Sequence, residues 1–212
     1  MSGRLACSDA VVGRPGVDVG TYGGASFTVT EVGAPRWPAP PGDDDQPTSP
    51  CPEPAGGWPV SDPAKGSEAD MQVAWRAARA QPDFAGLWVT YLEPMGNNVA
   101  EDPGELLLNV AFTGELERHE AELHTRWGGR LCVTRQQRTM AELRRIQHEL
   151  MGRVGDDLGL RVVSTGLSDD ENVVNLEVLV LDDHARQAIE ERYGAGAVEA
   201  TATLTPVGDA TG

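Results

Sequence analysis

Leu106-Leu107-Leu108-Asn109-Val110-Ala111-Phe112 is the stretch on which the fold turns. Leu106, Leu108, Val110 and Phe112 alternate onto one face, which is the two-residue period of a strand. At a spacing of 68 residues the pattern returns as Val174, Leu176, Val178 and Val180. Each run leads into an amphipathic helical segment, Glu115–Trp127 and Asp183–Tyr193, and each helix into a short apolar strand, Arg130–Arg135 and Ala197–Thr205. Upstream the parallel continues. Ser67 is an N-cap with Glu68 and Asp70 in the first turn, and Met71, Ala74, Trp75 and Ala78 recur at helical spacing up to Pro82. Phe84–Leu92 follows as a strand. Before the second run, Thr139 and Glu142 make a capping box, Met140, Leu143, Ile146 or Gln147, Leu150 and Val154 mark a buried helical stripe, and Gly155–Gly159 breaks it. Leu160–Leu167 is the matching strand. The order α-β-β-α-β therefore occurs twice. The predicted class is α+β, built of tandem duplicated units whose helices pack on small three-stranded sheets.

The predicted organisation is a Pro/Gly-rich segment over residues 1–66, a first unit over 67–136, a second over 139–206 and a flexible tail over 207–212. Residues 1–66 hold 11 of the 15 prolines and 11 of the 25 glycines. Proline removes amide donors and glycine raises the entropic cost of order, so little regular structure is expected there. Val17–Val19 and Ser26–Val32 are the exceptions, a strand pair joined through Gly20–Gly24. Trp37 and Trp58 stand among prolines and read as anchors onto the folded part. Asp43–Asp45 lacks the glycine and closing glutamate of a calcium loop and reads as a solvated turn.

Formal net charge is −16, which argues against duplex nucleic acid or an anionic membrane as partner. No run of 18 apolar residues offers a transmembrane span. A monomer or weak oligomer is expected. Sixteen of the seventeen cationic side chains are arginine, which points to a GC-rich genome rather than to chemistry. The three cysteines, Cys7, Cys51 and Cys132, form no CxxC pair. In an exported chain they would give one disulfide from three possible pairings. Cys51–Cys132 is favoured, because Cys132 lies in a strand and Cys51 leads the linker into the core. Arg4-Leu5-Ala6-Cys7 resembles the end of a lipoprotein signal, which would place a lipid on Cys7, although Arg4 stands where an apolar residue is expected.

No catalytic, cofactor-binding or metal-ligating set emerges, and the chain reads as a non-enzyme. His119 and His124 are five residues apart, which turns them about 140° from each other around a helix, whereas the zinc-protease motif needs i and i+4. Both read as polar positions on an exposed face. His148 and His184 stand alone, and no serine or cysteine sits in a nucleophile elbow. Asp182 and Asp183 open a helix and read as its cap. Asp156 and Asp157 show no partner. Arg135, Arg138, Arg144, Arg145 and Arg153 are diluted by Glu142 and Glu149 and read as a solvated face.

Four stretches carry a resemblance: Phe84-Ala85-Gly86-Leu87-Trp88, Leu108-Asn109-Val110-Ala111-Phe112-Thr113, Thr139-x-Ala141-Glu142-Leu143, and Asn172-x-Val174 leading a strand. In this order, across residues 67–206, the chain resembles the pro-segment of secreted bacterial chymotrypsin-fold serine proteases, the alpha-lytic protease and streptogrisin type. Ser168 stands where that family carries an aspartate before Asn172. The resemblance implies an exported, extracellular, non-enzymatic chaperone or inhibitor. It makes Thr203, Leu204, Thr205, Pro206 and Val207 the partner-contact strand and tail. No protease follows by Gly212, so the partner is expected to be a serine protease on a separate chain. The rival reading is an envelope lipoprotein, anchored at the cell surface, with tandem BON-like domains. Those domains share the α-β-β-α-β order, associate with membranes or envelope partners, and would place Gly196 in the turn before the last strand.

Overall fold

The computed structural model describes residues 4–8, 17–22, 27–31, 48–92 and 105–206. Three strands come first, β1 (Arg4–Ser8), β2 (Val17–Tyr22) and β3 (Phe27–Glu31). They are followed by α1 (Glu68–Arg79), β4 (Phe84–Tyr91), β5 (Leu106–Phe112), α2 (Leu116–His124) and β6 (Arg130–Arg135). Then come α3 (Met140–Met151), α4 (Arg153–Asp157), β7 (Val162–Ser168), β8 (Val173–Val178), α5 (Asp183–Tyr193), β9 (Val198–Ala202) and β10 (Leu204–Pro206). The class is α+β, with two three-stranded sheets, β4-β5-β6 and β7-β8-β9, and a third sheet in the order β10-β1-β2-β3.

Two compact units divide the chain. One holds residues 41–145 with 167–173, and the other holds 1–40, 146–166 and 174–212. The unit boundaries thus cut through the second hairpin and give its tip to the first unit. Trp37, Asp43–Asp45, Val207 and the predicted tail lie outside the described residues.

In the first unit β5 is central. It runs antiparallel to β4 and parallel to β6, with Leu107 opposite Arg130 and Phe112 opposite Arg135. A parallel neighbour needs a crossover, and α2 supplies it. α1 starts with a reciprocal capping box between Ser67 and Asp70. Leu106, Leu108, Val110 and Phe112 face a core shared with Met71, Ala74 and Ala78 of α1 and with Leu123 and Trp127. The other face of β5 is buried as well, and there Ala111 packs with Ala85 and Trp88. That second burial comes from residues 48–62, which are strapped over it. The Trp88 indole N–H donates to Thr48 O at 3.1 Å, the Arg130 side chain to Trp58 O at 3.3 Å, and Ser61 N and Asp62 N both to Gly128 O. Trp58 is half-buried. Gly128 is required here, since any Cβ would collide with the Asp62 backbone. Residues 48–62, part of the segment expected to hold little regular structure, are therefore a fixed cover.

In the second unit β8 is central and pairs parallel with β9, Val174 opposite Val198. Val174, Leu176 and Val178 are buried, while Asn175 between them is exposed. This sheet keeps one polar face of Ser164, Asn175, Glu177 and Glu199, on which Ser164 and Thr203 hydroxyls donate to Glu177. Tyr193 of α5 donates to Glu149 of α3 at 3.1 Å. Burial raises the Tyr193 hydroxyl above its ordinary range, and the Glu149 carboxylate adds to this. β2 and β3 pair antiparallel, as the alternation predicts, with a register shift at Val19/Gly20.

Four expectations need correction. The last strand does not run unbroken over residues 197–205: at Thr203 the amide donates to Val178 O at 2.9 Å, and the chain then leaves β8 to form β10. Residues 139–154 are not one helix, because Gly152 breaks it into α3 and α4. β8 stops at Val178, so Val180 is outside the strand. His119 is fully buried, not exposed, because Leu116, His119, Leu123 and Trp127 recur at helical spacing and share the core face.

Candidate functional site

The C-terminal strand is the stretch that the resemblance to protease pro-segments makes the expected partner contact. β9 is the outermost strand of β7-β8-β9, so among the described residues it pairs on one side. Val174 N donates to Ala197 O, and Thr203 N to Val178 O, so the odd-numbered backbone groups of this stretch face β8. Strand alternation then turns the amides of Val198, Ala200 and Ala202 to the outer edge. On that edge one arginine intervenes: the Arg186 guanidinium of α5 lies 3.4 Å from Ala200 O. α5 is held in place by Asp182, whose carboxylate accepts from Ala185 N at 2.8 Å, the capping role expected of it.

The structure divides the assigned contact residues. Thr203 is the break, its hydroxyl donating to Glu177 at 3.1 Å. Leu204 is buried. Leu204, Thr205 and Pro206 pair antiparallel with Cys7, Ala6 and Leu5 of β1, so the tail already has a strand beside it. Val207 lies outside the described residues. Cys7 sits in β1 opposite Asp18 on one side and Leu204 on the other.

Cys51 and Cys132 form a disulfide with Cα atoms 6.0 Å apart, across a sequence separation of 81. It fastens the strap of residues 48–62 to β6. Cys132 is buried, and Cys51 is half-buried.

The edge of β4 in the first unit is closed by side chains that sequence reasoning did not single out for this work. The turn between β7 and β8 carries Asp169 and Asn172. Asp169 Oδ2 accepts from Leu87 N at 2.9 Å, and Asn172 Nδ2 donates to Ala85 O at 3.3 Å. A carboxylate and an amide thus fill the two roles that a neighbouring strand would fill. Gly86 lies between them, and a Cβ there would come within 2.5 Å of Asp169 O. Asn172 takes a left-handed backbone, φ 59°, which asparagine tolerates better than most residues. Its side chain also accepts from Arg138 N at 2.9 Å and donates to Arg138 O at 2.8 Å. The Ser168 hydroxyl donates to Asp170 within the same turn. Burial holds the Asp169 carboxyl above its ordinary range, while the Leu87 amide and the charges of Arg79 and Arg144 pull the other way. The signal was present in the sequence as Gly86 and Asn172, but no local pattern says that they meet.

The remaining polar groups do structural work. His119 Nε2 stands 2.8 Å from Asp83, and its ring stacks on Phe112 at 3.7 Å. His124 meets the Ser61 hydroxyl at 3.2 Å, beside the strap. The two histidines thus bond to different partners and share no ligand geometry. Among the described residues no group of three or more His, Cys, Asp or Glu is placed to hold a metal ion, and no helix is long and apolar enough to cross a membrane. No family model matches this sequence, and no curated protein matches it.

Proposed function

We propose that the chain is an exported, non-catalytic binding module of the protease pro-segment kind, which engages a serine protease on a separate chain by strand addition. The observation that carries this reading is β9, an edge strand with outward amides at Val198, Ala200 and Ala202. Strand addition takes its affinity from main-chain hydrogen bonds and needs little side-chain specificity. Val198, Ala200 and Ala202 carry short side chains, and the Arg186 guanidinium at Ala200 O is the contact that an incoming strand would displace. The Cys51–Cys132 bond supports export, since disulfides persist in oxidising compartments.

The test is a titration against bacterial chymotrypsin-fold proteases, following hydrolysis of a peptide substrate. Ala200→Pro removes an outward amide and leaves the bonds to β8 intact. Inhibition by the natural chain that falls at least tenfold in Ala200→Pro is the expected result. Absence of inhibition across several such proteases at concentrations well above micromolar would overturn the reading.

A further inference from the structure

We propose that the recess where the end of α1 and the start of β4 meet the first turns of α3 binds a small organic monocarboxylate with an apolar body of one ring. The recess belongs wholly to the first unit. It has a volume of about 160 Å³, and its lining includes Arg79, Gln81, Phe84, Met140, Ala141 and Arg144. A cavity of about 150 Å³ accommodates one benzene ring. Phe84 and Met140 are buried and supply apolar wall. A phenyl face and a thioether both pack well against an aromatic body.

The two arginines select the charge. Both are exposed, and both line the recess. Other arginines of this chain are engaged by its own acceptors: Arg118 and Arg126 by Glu122, Arg192 by Glu149, and Arg135 by Thr113 O. Arg79 and Arg144 make no hydrogen bond or ion pair among the described residues. Arg79 lies 6.0 Å from the centroid of the Trp75 ring, a contact that leaves its N–H groups unused. Nearby carboxylates are turned to other partners, Asp83 to His119 and Asp169 to the Leu87 amide. Asp169 still feels the charge of both guanidiniums, and one carboxylate against two leaves a positive charge unmatched. The planar guanidinium fork matches a carboxylate in shape and charge. A chain of net charge −16 repels a polyanion, so a single negative charge is the fitting one. The apolar wall beside the arginines then favours an acid that carries a ring. This site is separate from the β9 edge and does not rest on the proposed function.

The test is NMR of the ¹⁵N-labelled full chain at pH 7, following the amides of Gln81, Phe84 and Ala141. The probes are phenylacetate, its neutral counterpart phenylacetamide, and acetate, which has the charge without the ring. Phenylacetate is expected to shift these amides saturably at millimolar concentration. Phenylacetamide and acetate are each expected to bind at least about threefold more weakly. Arg79→Gln and Arg144→Gln remove exposed charges, and each is expected to keep a dispersed spectrum and to weaken phenylacetate about threefold. Arg76→Gln removes an exposed arginine of α1 that does not line the recess, and it is expected to leave binding unchanged. No saturable shift, or an equal response to phenylacetamide or to acetate, would overturn the inference. So would an unchanged response in either folded arginine variant, or an equal loss in Arg76→Gln. Should a variant fail to fold, the three probes on the natural chain decide by themselves.

Discussion

Asp169 sits where a carboxylate is poorly solvated, and the consequence is a pH dependence of defined sign. Its folded-state pKa is raised, chiefly by burial, so the folded chain binds this proton more tightly than the unfolded chain does. The favourable contribution is present below the unfolded value of 3.8 and is lost as pH rises through the folded value. Asp169→Asn keeps an acceptor for the Leu87 amide without the buried charge. The variant should equal or exceed the natural chain in urea midpoint at pH 7, and that advantage should shrink as the pH falls through the raised folded value toward 3.8 and then level off. Asn172→Ala should behave in the opposite way. It removes the bonds that Ala85 O and the Arg138 backbone make with Asn172, and it puts alanine at φ 59°. A loss of about 3 kcal/mol in urea unfolding is expected, whereas Ser168→Ala should stay within about 0.5 kcal/mol. Neither role is visible in the local sequence. The turn itself can be read from Ser168–Asn172, but its attachment to residues 85–87 joins positions more than 80 apart, and nothing in local periodicity encodes that.

At the scale of elements, the repeated strand–helix–strand order was legible because each element has a strong local signature. β5, β6 and α5 fall on the stretches predicted for them, since alternation and capping are local properties. What was not legible is the difference between the two sheets. Leu107, Asn109 and Ala111 are as buried as their neighbours, while Asn175 of β8 is exposed. The apolar character of Leu107 and Ala111 carried this signal, but the cover comes from prolines and turns that have no periodicity. The break at Thr203 was hidden for the same reason: Ala197–Thr205 alternates well, and only the partner changes. The strap is fastened by a long loop, and the entropy of closing it implies that reduction of Cys51–Cys132 should cost about 4 kcal/mol of stability. Comparing urea unfolding of the oxidised chain with and without a dithiol reductant measures it. A cost below about 1 kcal/mol would mean that the hydrogen bonds at Thr48, Trp58 and Gly128 hold the strap without it.

For the whole molecule, the acidic excess sets behaviour that no single contact does. A net charge of −16 and a pI near 4.5 impose self-repulsion on the compact chain at neutral pH. Monovalent salt should therefore raise the midpoint of thermal unfolding at pH 7 between about 0.01 and 0.15 M, over which the screening length falls from about 30 to about 8 Å. The effect should fade near pH 4.5. A midpoint that falls with salt would show that attractive ion pairs outweigh the repulsion. Composition alone carries this expectation, because it depends on the sum of charges and not on where they lie.

The strap also places a constraint on the order in which the chain can mature. Cys51 lies ahead of every strand of the sheet that it closes, and its partner comes 81 residues later. A chain emerging from its N-terminus presents Cys7 and Cys51 to an oxidant well before Cys132. Where an oxidant joins Cys7 to Cys51 first, thiol exchange must undo that bond before the strap can lock. Refolding from the reduced state should be faster in a glutathione redox buffer than with a plain oxidant, and Cys7→Ser should abolish the difference.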